Sequence, residues 1–230
     1  MNVAIIAAAG SGQRMSGDRP KQFLELAGIP IIFHTLKAFQ QCEAVDEVVA
    51  VLADGEIQHF LSRAEEYDLR KVVAAVPGGR TRAESVLNGL CSISEARADI
   101  VAVHDAVRPF VTPDEIARTI EAARAKGAAV LVCSPVDTVK EVENGFITRT
   151  FDRSKLRNAL TPQCFQYRLL RNAYDQVDVM DPGLTDEASL VERTGARIAV
   201  VEGSARNIKI TKPEDLVIAE QFIRLMSFEL

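Results

Sequence analysis

Short apolar runs recur along the chain at Val3–Ala8, Glu47–Leu52, Lys71–Val76, Ile100–Val103, Ala128–Cys133 and Arg197–Val201. Most lack polar alternation, which predicts strands buried on both faces, as in a parallel sheet covered by helices on either side. Longer amphipathic stretches separate them, and parallel strands need crossovers of that length. After Pro30, the apolar residues Ile32, Leu36 and Phe39 follow the i, i+4, i+7 spacing of a helix laid on the sheet. Thr81 with Glu84, Thr112 with Glu115 and Thr211 with Glu214 have capping-box spacing and predict three more helix starts. The expected class is α/β, with a mostly parallel sheet in three layers.

One segment breaks the alternation. Thr138–Val142 and Phe146–Thr150 read as two β-type runs joined through Asn144-Gly145, a strong hairpin signal. An isolated hairpin is marginal in water. The segment at about 137–155 is therefore expected to pack either on its own domain or on a second subunit. No internal repeat or low-complexity linker divides the chain, so residues 1–230 are expected to form one domain bearing this arm.

Composition narrows the class. With 230 residues, 47% hydrophobic and 26% charged, the chain can bury a substantial core. Its 27 basic and 32 acidic residues give a net charge of −5, which argues against a broad nucleic-acid or anionic-lipid surface. An anion site must then be a local basic cluster. Cys42, Cys91, Cys133 and Cys164 form no CxxC pair and have no histidine at ligand spacing, so neither a zinc site nor a redox dithiol is expected. No window approaches the ~18 apolar residues of a membrane span. Met1-Asn2 leads into the first apolar run without a basic leader, and the expected compartment is the cytoplasm.

The first run ends in Ala7-Ala8-Ala9-Gly10-Ser11-Gly12-Gln13-Arg14-Met15, followed by Arg19-Pro20-Lys21-Gln22. Ligands of open parallel sheets bind beyond the carboxyl ends of strands. Met15 stands where a dinucleotide fingerprint needs its third glycine, and the Gly-Lys-Ser/Thr of a Walker A motif is absent. What remains is a glycine-rich turn whose bare backbone can approach an anion, bracketed by Arg14 and Lys21. Forked guanidinium donors and a movable ammonium suit a polyphosphate.

This string, Ala-Ala-Gly-x-Gly-x-Arg-Met with Pro-Lys-Gln-Phe, resembles the 2-C-methyl-D-erythritol 4-phosphate cytidylyltransferases. Later segments follow in the same order: Gly78-Gly79 with Arg82 and Ser85, His104 to Pro109, Asp152-Arg153, Ala159 to Gln163, Thr185 to Ala188, and Asn207 to Thr211. The resemblance covers nearly the whole chain. It implies a Rossmann-like nucleotidyltransferase fold that joins CTP to 2-C-methyl-D-erythritol 4-phosphate and releases pyrophosphate, in non-mevalonate isoprenoid precursor biosynthesis, with Mg²⁺ bound mainly through the CTP phosphates and no metal-ligating residue of the chain. Ribitol-5-phosphate cytidylyltransferases share the nucleotide loop and fold, and stand as an alternative. A non-catalytic nucleotide-binding regulator is an alternative from another class.

By the same resemblance, Arg14, Lys21 and Lys209 surround the reacting phosphates. Ala8, Ala9, Gly10, Gly78, Gly79, Ser85 and Ala106 contact the nucleotide. Asp105, Arg108, Thr138, Arg153, Thr161 and Thr185 hold the polyol phosphate, with Arg153 supplied across a homodimer by the arm. Pro135-Val136-Asp137-Thr138 is one residue shorter than the family's usual string at that point. Arg80-Thr81 stand where acidic residues are frequent in the family, so base contacts there are expected from backbone. His104 is expected to be a packed strand-end histidine, since a phosphate nucleophile is already ionised at neutral pH and needs no base.

Overall fold

The structure, a computed structural model, describes residues 1–10 and 20–228, with backbone alone for 226–228. A seven-stranded sheet is built from β1 (Asn2–Ala8), β4 (Glu47–Leu52), β5 (Val72–Pro77), β6 (Ile100–Asp105), β7 (Ala128–Cys133), β10 (Asn158–Gln166) and β11 (Ala199–Glu202). Their spatial order is β11-β7-β10-β6-β1-β4-β5. From β1 the chain steps outward to β4 and β5, then returns to the other side of β1 as β6. The order therefore reverses at β1, where open α/β sheets form a crevice at their carboxyl edge.

The doubly apolar strands are explained by the two layers they face. Ile6, Ala50 and Leu52 pack on one side with α1 (Ile31–Gln41), α2 (Ile57–Glu66) and α4 (Pro113–Lys126), through Leu36, Phe39, Phe60, Ile116 and Ile120. Ile5, Val49, Val51 and Val103 pack on the other with α3 (Arg82–Cys91), α5 (Tyr167–Tyr174) and α6 (Glu187–Glu192), through Val86, Leu90, Leu170 and Leu190. A third cluster joins Leu26 of β2 (Glu25–Leu26) and Ile31 to Val107, Phe110, Ile210 and Ala219 of α7 (Pro213–Phe228). It ties the end of the chain to the loop after β6. A short strand β3 (Ile29–Pro30) pairs with β2. No described helix is long and apolar enough to cross a membrane.

The six expected strands are all present, with ends shifted by a few residues at most. In the seven-stranded sheet the strand the pattern missed is β10, antiparallel to both β6 and β7; the two-residue strands β2 and β3 were not anticipated either. Pro162 has no N–H to give to a ladder, and it lies within the register break between Ala159 and Gln163. Of the expected capping boxes, Thr112–Glu115 is complete. At α3, Thr81 accepts from Glu84 N, but the Glu84 carboxylate accepts from Arg80 N instead of closing the box. At α7, Asp215 and not Glu214 accepts from the Thr211 and Lys212 amides. The hairpin is present as β8 (Lys140–Glu143) and β9 (Phe146–Thr150), with positive φ at Asn144 and Gly145 as a two-residue turn requires. Every residue of both strands is exposed.

Candidate active site

A cleft of about 440 Å³ opens at the carboxyl edge where the strand order reverses. Its lining includes Ala8 at the end of β1 with Ala9 and Gly10 just after it, Lys21, Gly79 and Ser85 around the start of α3, Asp105 and Ala106 at the end of β6, and Lys209. Four distant stretches of sequence thus converge. Gly78 is adjacent: a Cβ there would overlap Ala9 Cβ and press on Ser85 Oγ, so only glycine lets this turn sit against the β1 loop. Gln22, buried beside Lys21, donates to Ala8 O at 2.6 Å and pins the far end of the first loop. Arg14 lies outside the described residues.

Lys209 is delivered by its neighbours. Ile210 is fully buried in the third cluster, and its amide donates to Val107 O at 2.9 Å. The segment is irregular, not the strand that Ile-Lys-Ile alternation suggests. With Ile210 held inside, the Lys209 ammonium reaches Asp105 Oδ2 at 2.9 Å. Arg108 Nε approaches the same oxygen at 3.3 Å, and Arg82 Nη2 lies 3.4 Å from Asp105 Oδ1. Burial opposes the charge on Asp105, but Arg82, Lys209 and Arg108 outweigh it and hold the carboxyl well below the usual carboxylate range. Arg108 also donates to Asn207 O at 2.8 Å, and Asn207 Nδ2 donates to Thr161 O at 2.9 Å.

Beneath Asp105, hydrogen-bond roles follow from what each atom can do. Arg108 O only accepts, so the His104 Nε2 facing it at 3.2 Å carries the proton. His104 Nδ1 is then an acceptor, and the Thr161 hydroxyl donates to it at 2.9 Å. Thr161 Oγ1 in turn accepts from Asp105 N at 3.2 Å. Desolvation pushes the fully buried His104 imidazole down to about 4, so it is neutral at physiological pH and packed, as expected from sequence.

A group whose folded pKa is depressed in this way is a base the unfolded chain protonates first. Its contribution is retained above the unfolded value near 6.5 and declines as pH falls toward about 4. Across that window His104 is expected to remove about 3 kcal/mol of stability. His34, also depressed by burial, acts in the same direction. Urea unfolding at pH 7 and pH 4.5 should show a smaller pH difference in His104→Gln than in the parent; equal differences would mean that His104 is not the group responsible.

Ser85 is similarly committed. Its hydroxyl donates to Thr81 O at 2.8 Å and accepts from Gly79 N at 3.0 Å. Thr138, Arg153 and Thr185 are exposed and do not line the cleft. Arg153 donates to Val136 O at the base of the arm, and Thr185 lies two residues before the buried Glu187. Arg82 and Glu187 were given no role from sequence. Arg82 Nη1 donates to both Glu187 oxygens, at 2.7 and 2.8 Å, while Nη2 faces Asp105. Charge at the first position of two helices was the available signal, but nothing local pairs residues so far apart.

A strand-order reversal, a glycine-containing turn and lysines from both ends of the chain over one sheet edge define a three-layer α/β/α protein whose carboxyl-edge cleft suits a phosphate-bearing ligand. Comparison with known proteins makes this specific: the model of the 2-C-methyl-D-erythritol 4-phosphate cytidylyltransferase (IspD) family matches residues 2–225, and the chain belongs to that family. It is 44% identical over 224 residues to the 2-C-methyl-D-erythritol 4-phosphate cytidylyltransferase of Syntrophus aciditrophicus, covering 96% of this chain and 95% of the relative. The crystal structure of 4-diphosphocytidyl-2C-methyl-D-erythritol synthase from Anaerococcus prevotii is 30% identical, with a TM-score of 0.85 over 97% of this chain and 96% of that one. The corresponding Thermus thermophilus structure is 35% identical, with a TM-score of 0.77 over 96% and 98%.

Proposed function

We propose that the cleft binds CTP and 2-C-methyl-D-erythritol 4-phosphate side by side and transfers the cytidylyl group between them. An ionised oxygen of the polyol phosphate attacks the α-phosphorus of CTP. A new phosphorus–oxygen bond forms as the bond from the α-phosphorus to the bridging oxygen breaks, and pyrophosphate leaves with the electron pair. No side chain forms a covalent bond, so the chain contributes positioning and charge stabilisation. The observation that carries this reading is the meeting of Lys21 and Lys209, from opposite ends of the chain, in one cleft with Asp105.

In this reading Lys21 and Lys209, with Arg14 of the family motif, neutralise the α-phosphate and the departing pyrophosphate. The backbone of Ala8, Ala9, Gly10, Gly78 and Gly79, with Ser85 and Ala106, seats the nucleotide. Asp105, which lines the cleft, meets the polyol phosphate, with Arg108 and Thr161 holding Asp105 from behind, while Thr185, outside that lining, has no part in this reading. Among the described residues no group of three or more His, Cys, Asp or Glu could hold a metal, and the cleft carboxylate Asp105 is already shared by three cations. That donor set fits Mg²⁺ carried in on CTP oxygens and water, where it supplies further charge neutralisation.

The fully exposed hairpin supports a homodimer in which the arm, within a one-domain chain, reaches a second copy. Val142, Phe146 and Ile147 are 59, 76 and 64% exposed, more apolar surface than a two-stranded ribbon sustains alone. Thr138 and Arg153 then serve the partner's cleft. Arg153→Ala is expected to raise the KM for the polyol phosphate about 10-fold or more with the KM for CTP kept; weaker CTP use alone would contradict this role. The net charge of −5 supports small-molecule substrates over nucleic acid, and free cysteines among the described residues agree with a reducing cytoplasm.

The reaction is tested by following pyrophosphate release from CTP and Mg²⁺ with 2-C-methyl-D-erythritol 4-phosphate or ribitol 5-phosphate. The expected result is turnover with the first and little with the second. Preference for ribitol phosphate, or release with neither, would overturn the assignment.

A further inference from the structure

Two buried carboxylates and three cations make up a cluster at the floor of the cleft, which Arg82, Asp105 and Lys209 line, leaving one positive charge in excess. The cations are not equivalent. Lys209 makes the shortest contact to Asp105, yet its side chain is 36% exposed and comes from an irregular segment. Arg108 is held by Asn207 O as well as by Asp105. Arg82 bridges the two carboxylates, with its tight contacts on Glu187 and only a 3.4 Å approach to Asp105. Glu187 is 1% exposed and accepts a further hydrogen bond from the Tyr174 hydroxyl at 3.3 Å.

A guanidinium left with one carboxylate normally closes on it with two parallel hydrogen bonds. Glu187 prevents that closure by engaging Arg82 Nη1 from the far side. Asp105 is thereby held at a fixed place without being captured, and can give up its most exposed partner. We propose that Glu187 and Arg82 are positioning residues that hold Asp105 as an exchangeable resting partner for Lys209, which leaves Asp105 for phosphate when substrates enter. Without the strut, Arg82 closes on Asp105, the carboxylate shifts, and the site for Lys209 and the polyol is displaced. A displacement of this kind is enough to cost about 10- to 100-fold in rate.

This inference rests on the cytidylyl-transfer reading, and the experiment separates the two. Arg82→Lys, Glu187→Gln and the double variant are assayed beside the parent, with melting temperatures recorded. Each single variant is expected to lose about 10-fold or more in kcat/KM for the polyol phosphate, with the KM for CTP within about twofold of the parent. The double variant should be no worse than the poorer single, because both residues act through one strut. If Glu187→Gln does not fold, the KM split in Arg82→Lys decides, since lysine keeps the charge but cannot bridge two carboxylates. Parental rates in Arg82→Lys, losses that multiply in the double variant, or a KM for CTP that rises in step would overturn the inference. A parent enzyme that releases no pyrophosphate would instead overturn the reaction.

Discussion

Lys209→Ala is expected to lower kcat by about 10²- to 10³-fold, the loss found on removing one preorganised stabiliser of transition-state charge. As the α-phosphorus bond to the leaving group breaks, negative charge accumulates on the departing pyrophosphate. An ammonium already turned to the phosphates once substrates are bound stabilises that charge without further reorganisation as the bond breaks. Thermal stability should change little: Lys209 is partly exposed, and Asp105 keeps Arg82 and Arg108 as counter-charges when it is gone. Pyrophosphate release under saturating substrates measures the first quantity and a thermal melt the second. Turnover close to that of the parent would remove Lys209 from the chemistry.

Asp105→Asn should behave differently, losing both activity and stability. The carboxylate is almost wholly buried and balances three cations. An amide of the same shape leaves those charges confronting one another, and breaking a buried pair from one side costs about 3 kcal/mol or more. Arg108 and Lys209 lose their common anchor, so kcat/KM for the polyol phosphate is expected to fall about 10²-fold or more. Denaturant unfolding and steady-state kinetics on the same preparation check both effects. A variant of unchanged stability would mean that the cations are balanced by another group.

These two residues also mark how far the sequence could be read. The carboxyl-edge position of Asp105 followed from the doubly apolar run Ile100–Val103 just before it, although β6 continues two residues further, through His104 and Asp105. The doubly covered sheet and the Asn-Gly hairpin were legible for similar local reasons. β10 was not: Asn158, Thr161, Pro162 and Gln163 make it polar and proline-broken, and its place between β6 and β7 depends on partners far away. Lys209 was assigned only through family resemblance, since Ile-Lys-Ile reads equally well as a strand face. What delivers it is burial of Ile210 against the loop after β6, a tertiary event. The Arg82–Glu187 contact spans 105 residues of sequence, and no spacing rule reaches that distance.

The bonds of Ser85 bear on which pyrimidine the cleft accepts. With its proton given to Thr81 O and one lone pair taken by Gly79 N, the hydroxyl has a single lone pair left to offer. An exocyclic amine satisfies it. In the proposed reading, in which Ser85 meets the base, a uracil carbonyl would set oxygen against oxygen with no hydrogen between them, and UTP is expected to turn over more slowly than CTP because the hydroxyl proton is already given to Thr81 O.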